Sequence, residues 1–113
     1  MGRGLKERQI MVVIKEPGKP ARVDPLFDNT LGSFQSAVGG YIECVHLAPD
    51  VVLICNEEGK LRMLPINVQI GSDFLVGTIV VCGVSGDEFA SLKSFRIPMV
   101  LDVLGRASHG VDL

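Results

Sequence analysis

A chain of 113 residues with 11 basic and 13 acidic side chains, a formal net charge of −2 and a pI near 5.6 has room for one core and not two. That balance excludes the broad basic field with which proteins grip duplex nucleic acid, and the longest aliphatic runs fall far short of the ~20 residues that a bilayer-spanning helix needs. The hydrophobic share of 47% and the mean hydropathy of +0.36 are high for so small a domain, so part of the apolar surface is expected at a subunit interface, in a homo-oligomer and most simply a dimer.

Residues 1–10 read as an N-terminal extension and residues 11–113 as one domain. Arg3, Lys6 and Arg8 precede the apolar stretch Ile10 to Ile14, but Lys15 and Glu16 end it too early for a signal peptide. Gly2 is followed by Lys6 where a myristoylation signal wants Ser or Thr. The expected location is cytoplasmic. Three cysteines, Cys44, Cys55 and Cys82, each sit in an apolar β-branched segment, an odd count without a disulfide framework.

Gln9 to Lys15 predicts a strand, and Pro17-Gly18 a turn, because Pro presets the first turn torsion and Gly accepts a positive one. Ala21 to Phe27 returns as a second strand. Pro25 deprives it of one ladder donor and places it at a sheet edge. Asp28-Asn29-Thr30 supplies capping side chains for a short helix in which Leu31, Phe34 and Val38 share one face, and Gly39-Gly40 closes it.

Tyr41 to Leu47 and Val51 to Cys55 predict two strands joined at Ala48-Pro49-Asp50. A two-residue turn at Pro49-Asp50 would set Cys44 directly opposite Cys55, with His46 on the same face as Cys44. Asn56 to Lys60 reads as a hairpin loop, and Leu61 to Leu64 as a further strand ending at Pro65. Gly71-Ser72-Asp73 marks another loop. Gly77 to Val84 is apolar throughout and is expected at the sheet centre, followed by a turn at Ser85-Gly86-Asp87. Ser91 or Ser94 can cap a C-terminal helix that begins near Ile97, with Pro98 in its first turn, and runs to about Arg106, leaving Ser108 to Leu113 as a tail. The sum is an α+β fold: a mixed, mostly antiparallel sheet with one short helix packed on it and a C-terminal helix, an element order like that of a β-grasp.

Few side chains suggest chemistry. Cys44, His46 and Cys55 are zinc-ligand types, yet they lack a knuckle spacing and a clear fourth ligand, so no metal or other cofactor is expected. A Cys44 nucleophile beside His46 would sit among Val and Ile, which raise a thiol pKa, and Glu57-Glu58 at a hairpin tip stays solvated. Neither phosphate-cradle motif occurs. Lys60 and Arg62 would project to one side of a single strand and, with Asn67, could hold an anionic or nucleotide-like ligand. The same basic residues could instead protect an exposed strand.

The ordered pieces Val13-x-x-Glu16-Pro17-Gly18-Lys19, Gly39-Gly40-Tyr41-Ile42-Glu43, Cys55-Asn56-Glu57-Glu58-Gly59-Lys60-Leu61, Leu64-Pro65-x-Asn67, Gly77-Thr78 and Ser91-Leu92 resemble the domain of unknown function 3846 family of small phage and mobile-element proteins. The resemblance covers roughly Met11 to Leu92. It implies a compact accessory protein encoded beside replication, recombination or defence genes, and it carries no catalytic residues. The first ten residues and the apolar C-terminal helix with Pro98 depart from the pattern.

The leading expectation is a non-enzymatic binding or regulatory module with no catalytic residues, contacting a protein partner through Tyr41, Glu43 and the Asn56 to Asn67 unit. The alternatives are a small-ligand sponge using Lys60, Arg62 and Asn67, and a small metal-binding protein using Cys44, His46 and Cys55.

Overall fold

The structure, a computed structural model, describes residues 8–109, with side chains described for residues 8–105. The expectations for residues 1–7 and for 110–113 lie outside these. Among the described residues there are eight strands: β1 (Gln9–Lys15), β2 (Arg22–Asp28), β3 (Ile42–Ala48), β4 (Val51–Asn56), β5 (Ile66–Ile70), β6 (Asp73–Val76), β7 (Ile79–Ser85) and β8 (Glu88–Ala90). Helix α1 spans Leu31–Val38, and a 3-10 turn at Ser94–Arg96 leads into α2, Ile97–His109.

The main sheet runs β2-β1-β7-β4-β3, with β8 paired to the end of β7, while β5 and β6 form a separate hairpin. The α+β class holds, and β7 is central as its sequence predicts. The sheet is not mixed, however. β7 runs antiparallel to both β1 and β4, and every pairing among the described residues is antiparallel. The hairpin–helix–hairpin order of a β-grasp is therefore kept without a parallel central pair.

Alternation along the inner strands sorts the core into two layers. Ile10, Val12, Ile14, Val52, Ile54, Val80 and Cys82 pack with Phe34 and Val38 of α1. Val13, Val51, Leu53, Cys55, Ile79 and Val81 pack on the other face against Val68 and Leu75 of the β5–β6 hairpin and Val100 and Leu104 of α2. Phe34 anchors the first layer, with Phe27 and Phe89 rings each 4.9 Å from its own. Leu31 is expected on that face but is 56% exposed, at the first position of the eight-residue helix.

The local devices follow from residue type. Thr30 caps α1, its side chain accepting from Ser33 N, and Gly39 closes the helix at φ 83°, a left-handed torsion suited to glycine. In β2 one extra residue is accommodated where Pro25 and Leu26 lie opposite Met11, and Asp24 Oδ1 accepts from Leu26 N. Met11 compensates on its other side, its N–H donating to Ser91 Oγ at 3.0 Å and its carbonyl accepting from Leu92 N at 2.8 Å. Ser91 thus holds β1 rather than capping α2, and Ser94 lies within the 3-10 turn, where no side chain caps the start. Helix α2 begins at Ile97 as expected and extends to His109, past the predicted end and into the predicted tail. Among the described residues no helix is long and apolar enough to cross a membrane.

Candidate functional site

Asn56 organises the segment that carries most of the predicted site. It is buried at the end of β4; its amide donates to Val38 O at 3.1 Å and its Oδ1 accepts from Glu58 N at 2.8 Å. That side-chain turn starts a coil of tight turns in place of a strand. Gly59 N donates to Asn56 O, Arg62 N to Glu58 O, Met63 N to Lys60 O and Leu64 N to Gly59 O. Met63 sits at φ 56°, which ends the coil. The strand expected over Leu61 to Leu64 is therefore absent, and Lys60 and Arg62 do not project from one strand face.

The expected residues divide into three places. Arg62 Nη1 donates to Gly39 O at 2.9 Å, so Asn56 and Arg62 together serve the carbonyls at the C-terminus of α1. Gly40 lies between them, where an added Cβ would come within 2.9 Å of Asn56 Nδ2 and 3.1 Å of Arg62 Nη1. Tyr41 lies just beyond, its side chain exposed and its carbonyl accepting from Glu57 N at 2.8 Å. Glu43, Asn56 and Lys60 line a cleft. Asn67 belongs to neither group: it is buried where its amide donates to Lys15 O and Gly77 O, each at 2.7 Å, and its Oδ1 accepts from Lys15 Nζ at 3.1 Å. Lys60, Arg62 and Asn67 do not converge on one ligand.

The cleft, about 190 Å³, opens between β3, the 57–61 turn and β6. Val45, Leu61 and Phe74 supply its apolar walls and Cys55 part of its lining. Glu43, Glu57, Glu58 and Asp73 set four carboxylates against the single ammonium of Lys60. Lys60 Nζ lies 2.6 Å from Asp73 Oδ1, and that hydrogen bond holds the Asp73 carboxyl below its ordinary range. Among the described residues Glu43, Glu57 and Glu58 have no ion-pair partner. Leu61 falls within the expected Asn56 to Asn67 unit, whereas Asp73 and Phe74 were not singled out as site residues from the sequence. The alternation Asp73-Phe74-Leu75-Val76 is the signal that could have found β6 and its outward Phe74.

A larger open groove of about 630 Å³ runs between α1 and the β1–β2 hairpin, with Ile14, Phe27 and Ala37 beside Arg22, Asp24 and Ser36. Arg22 leans on Glu16 at 3.6 Å.

The cysteines do not form a cluster. An irregularity between His46 and Ala48 shifts the β3–β4 register by one residue, so Cys44 faces Ile54 while Cys55 faces Glu43. A one-residue shift sends alternate side chains to opposite faces. Cys44 and His46 therefore share the α1 side of the sheet, and Cys55 points to the other. Among the described residues no three His, Cys, Asp or Glu side chains are placed to hold a metal ion. Burial pushes the Cys55 thiol up to about 11 and the Cys82 thiol to about 12, and burial followed by Glu43 raises that of Cys44. None is poised as a thiolate.

Comparison with curated proteins and with solved structures returns no match. The family model described as domain of unknown function (DUF3846) matches residues 10–104, a span that takes in the whole sheet apart from Gln9 and all but the last residues of α2. The chain belongs to that family.

Proposed function

We propose that the chain is a non-enzymatic binding module whose contact surface is the open edge of β3 together with the 57–63 turn, in keeping with the accessory role the family resemblance implies for phage and mobile-element proteins. One observation carries this reading. Strand β3 ends the sheet on that side, and its residues Glu43 to His46 are all exposed, beside Leu61 at 84% and Phe74 at 47% exposure. Met63 and Ile66, exposed at 85% and 65%, follow on the same stretch of chain. Large apolar side chains left open next to unpaired strand groups mark a docking surface. The opposite edge, β2, is blunted by Pro25 and its bulge and carries Arg22, Asp24 and Asp28.

The test is a photo-crosslinking residue placed at Leu61 or at Val23 in cells. Adducts of discrete mass are expected from Leu61 and not from Val23. Equal labelling from both edges, or none from either, removes the reading. An adduct of twice the chain mass would identify the partner as a second copy.

A second reading, small-ligand binding, is favoured by the volume of the α1 groove, which falls in the usual range for ligand pockets. Arg22 is the cation it offers to an anionic group. A thermal-shift screen against nucleotides tests it, and the absence of any shift that depends on Arg22 ends it.

A further inference from the structure

The open edge of β3 has a defined hydrogen-bonding phase. Tyr41 O accepts from Glu57 N, and the register Tyr41–Glu57, Glu43–Cys55, Val45–Leu53 continues from there, so odd-numbered residues turn their backbone groups inward to β4. Even-numbered Ile42 and Cys44 then present N–H and C=O outward, where no described segment meets them. A strand added at this edge would be hydrogen-bonded at Ile42 and Cys44. Its residues opposite Glu43 and Val45 would form the close, non-hydrogen-bonded pairs, with Cα atoms about 4.5 Å apart.

Those close pairs lie on the face that carries the cleft, since Glu43 and Val45 line it. The chemistry there is one-sided. Among the described residues the carboxylates of Glu43, Glu57 and Glu58 meet no cation, and Asp73 is neutralised by Lys60. An acidic or bare apolar strand would leave this charge uncompensated. A strand bearing Lys or Arg at these positions would compensate it. Their side chains are long enough to cross the ~4.8 Å strand spacing, and their aliphatic stems suit the Val45, Leu61 and Phe74 walls.

We infer that β3 receives an extended segment of a partner protein with Lys or Arg at every second position, the basic side chains entering the Glu43–Glu57–Glu58–Asp73 cleft. This deepens the binding reading above and rests on it. It selects a basic partner strand over a second copy, because β3 paired antiparallel with its own symmetry mate offers the cleft no cation: its cleft-side residues are Glu43, Val45 and Leu47.

The experiment uses the full chain, hydrogen exchange read residue by residue, and three peptides of seven residues, the length of β3. One alternates Lys with Val, the second has Glu for each Lys, and the third is the Lys peptide methylated at alternate backbone nitrogens. The Lys peptide is expected to slow exchange at Ile42 and Cys44, and the other two to leave it unchanged. Glu43→Gln and Glu57→Gln, both surface changes that preserve side-chain size, should each weaken that peptide about three-fold, and added salt should weaken it further. Equal protection by the Lys and Glu peptides would overturn the charge assignment while leaving edge docking in place. Absence of protection by any peptide, with Ile42 and Cys44 already slow in a concentration-dependent dimer, would overturn both this inference and the docking of a foreign partner on β3.

Discussion

Lys15 and Asn67 hold each other reciprocally: Asn67 Nδ2 donates to Lys15 O at 2.7 Å while Lys15 Nζ donates back to Asn67 Oδ1 at 3.1 Å. The lysine is only 1% exposed, its second acceptor is the carbonyl of Glu16, and no described carboxylate neutralises it. Two residues 52 positions apart thereby fasten the β5–β6 hairpin to the first strand of the main sheet.

Asn67→Ala should therefore be costly although the residue lines neither the cleft nor the groove. It strips a donor from the buried carbonyls of Lys15 and Gly77 and an acceptor from a buried amine. A loss of about 2–3 kcal/mol is expected from leaving such groups unpaired, read as a lower urea midpoint with the slope unchanged. A loss within experimental error would show that water can replace the amide there.

Thiol chemistry should separate the cysteines by location. Cys44 is exposed and Cys55 and Cys82 are buried, so a thiol reagent near pH 8 should label Cys44 alone in the native protein and all three after unfolding.

The alkaline limb follows from the same two buried thiols. Their folded pKa values, about 11 and about 12, lie above the ordinary 9.0. Between about pH 9 and 11 the unfolded chain releases protons that the folded one retains, so stability falls as pH rises. Lys15, whose burial lowers its pKa, acts in the opposite sense. A Cys55→Ala, Cys82→Ala double variant should lose the downward component of the slope in denaturation series across this range, and an unchanged slope would refute the assignment.

Asp50 governs the acid side. Arg96 Nη2 lies 2.7 Å from Asp50 Oδ1 and Nε 3.3 Å from Oδ2, and the hydrogen bond from Arg96 is the main cause that lowers the Asp50 pKa. A depressed carboxylate contributes stability above its unfolded value of 3.8 that is lost as pH falls through the folded value. Asp50→Asn should flatten the melting temperature's dependence on pH below about 4, and should loosen the attachment of the 3-10 turn to the β3–β4 connection.

Gly83 tolerates no side chain. An added Cβ would lie 2.4 Å from Ser91 O and 3.2 Å from Ala90 O, both backbone atoms that cannot turn aside. Gly83→Ala should cost about 2–3 kcal/mol, the range of overpacking in a tight core, whereas Gly32→Ala, with nothing within 4 Å, should be neutral or slightly stabilising. Equal midpoints for the two variants would contradict the contact.

Much of the fold was legible because it depends on local chemistry. The bounds of β1, the Pro17-Gly18 turn, the Thr30 cap, the Gly39 closure and the start of α2 all come from residues acting on their own backbone. The failures share a different origin. The 61–64 stretch has strand-like composition, but Asn56 draws the chain into a coil through bonds to Val38 and Glu58 that only the folded structure supplies. The irregularity before Ala48 leaves no mark on composition, yet it moves Cys55 to the opposite face from Cys44 and removes the candidate metal cluster. The cleft combines residues from Glu43 to Val76, on three strands and a turn, so no linear motif could spell it. Glu43, Asn56 and Lys60 were recognisable as members, and their shared setting was not.

Strand β7 lies between β1 and β4, which means that the two hairpins flanking it in space are both complete in sequence before it begins. A chain ending at Val76 would lack the strand that joins the β1–β2 and β3–β4 hairpins, so the main sheet cannot be completed until Ile79–Ser85 has been made. Met11 then waits longer still for its partners at Ser91 and Leu92. Closure is thus a late, long-range event, and an interrupted chain would expose two unpaired strand edges, β1 and β4, that the finished protein keeps entirely inside.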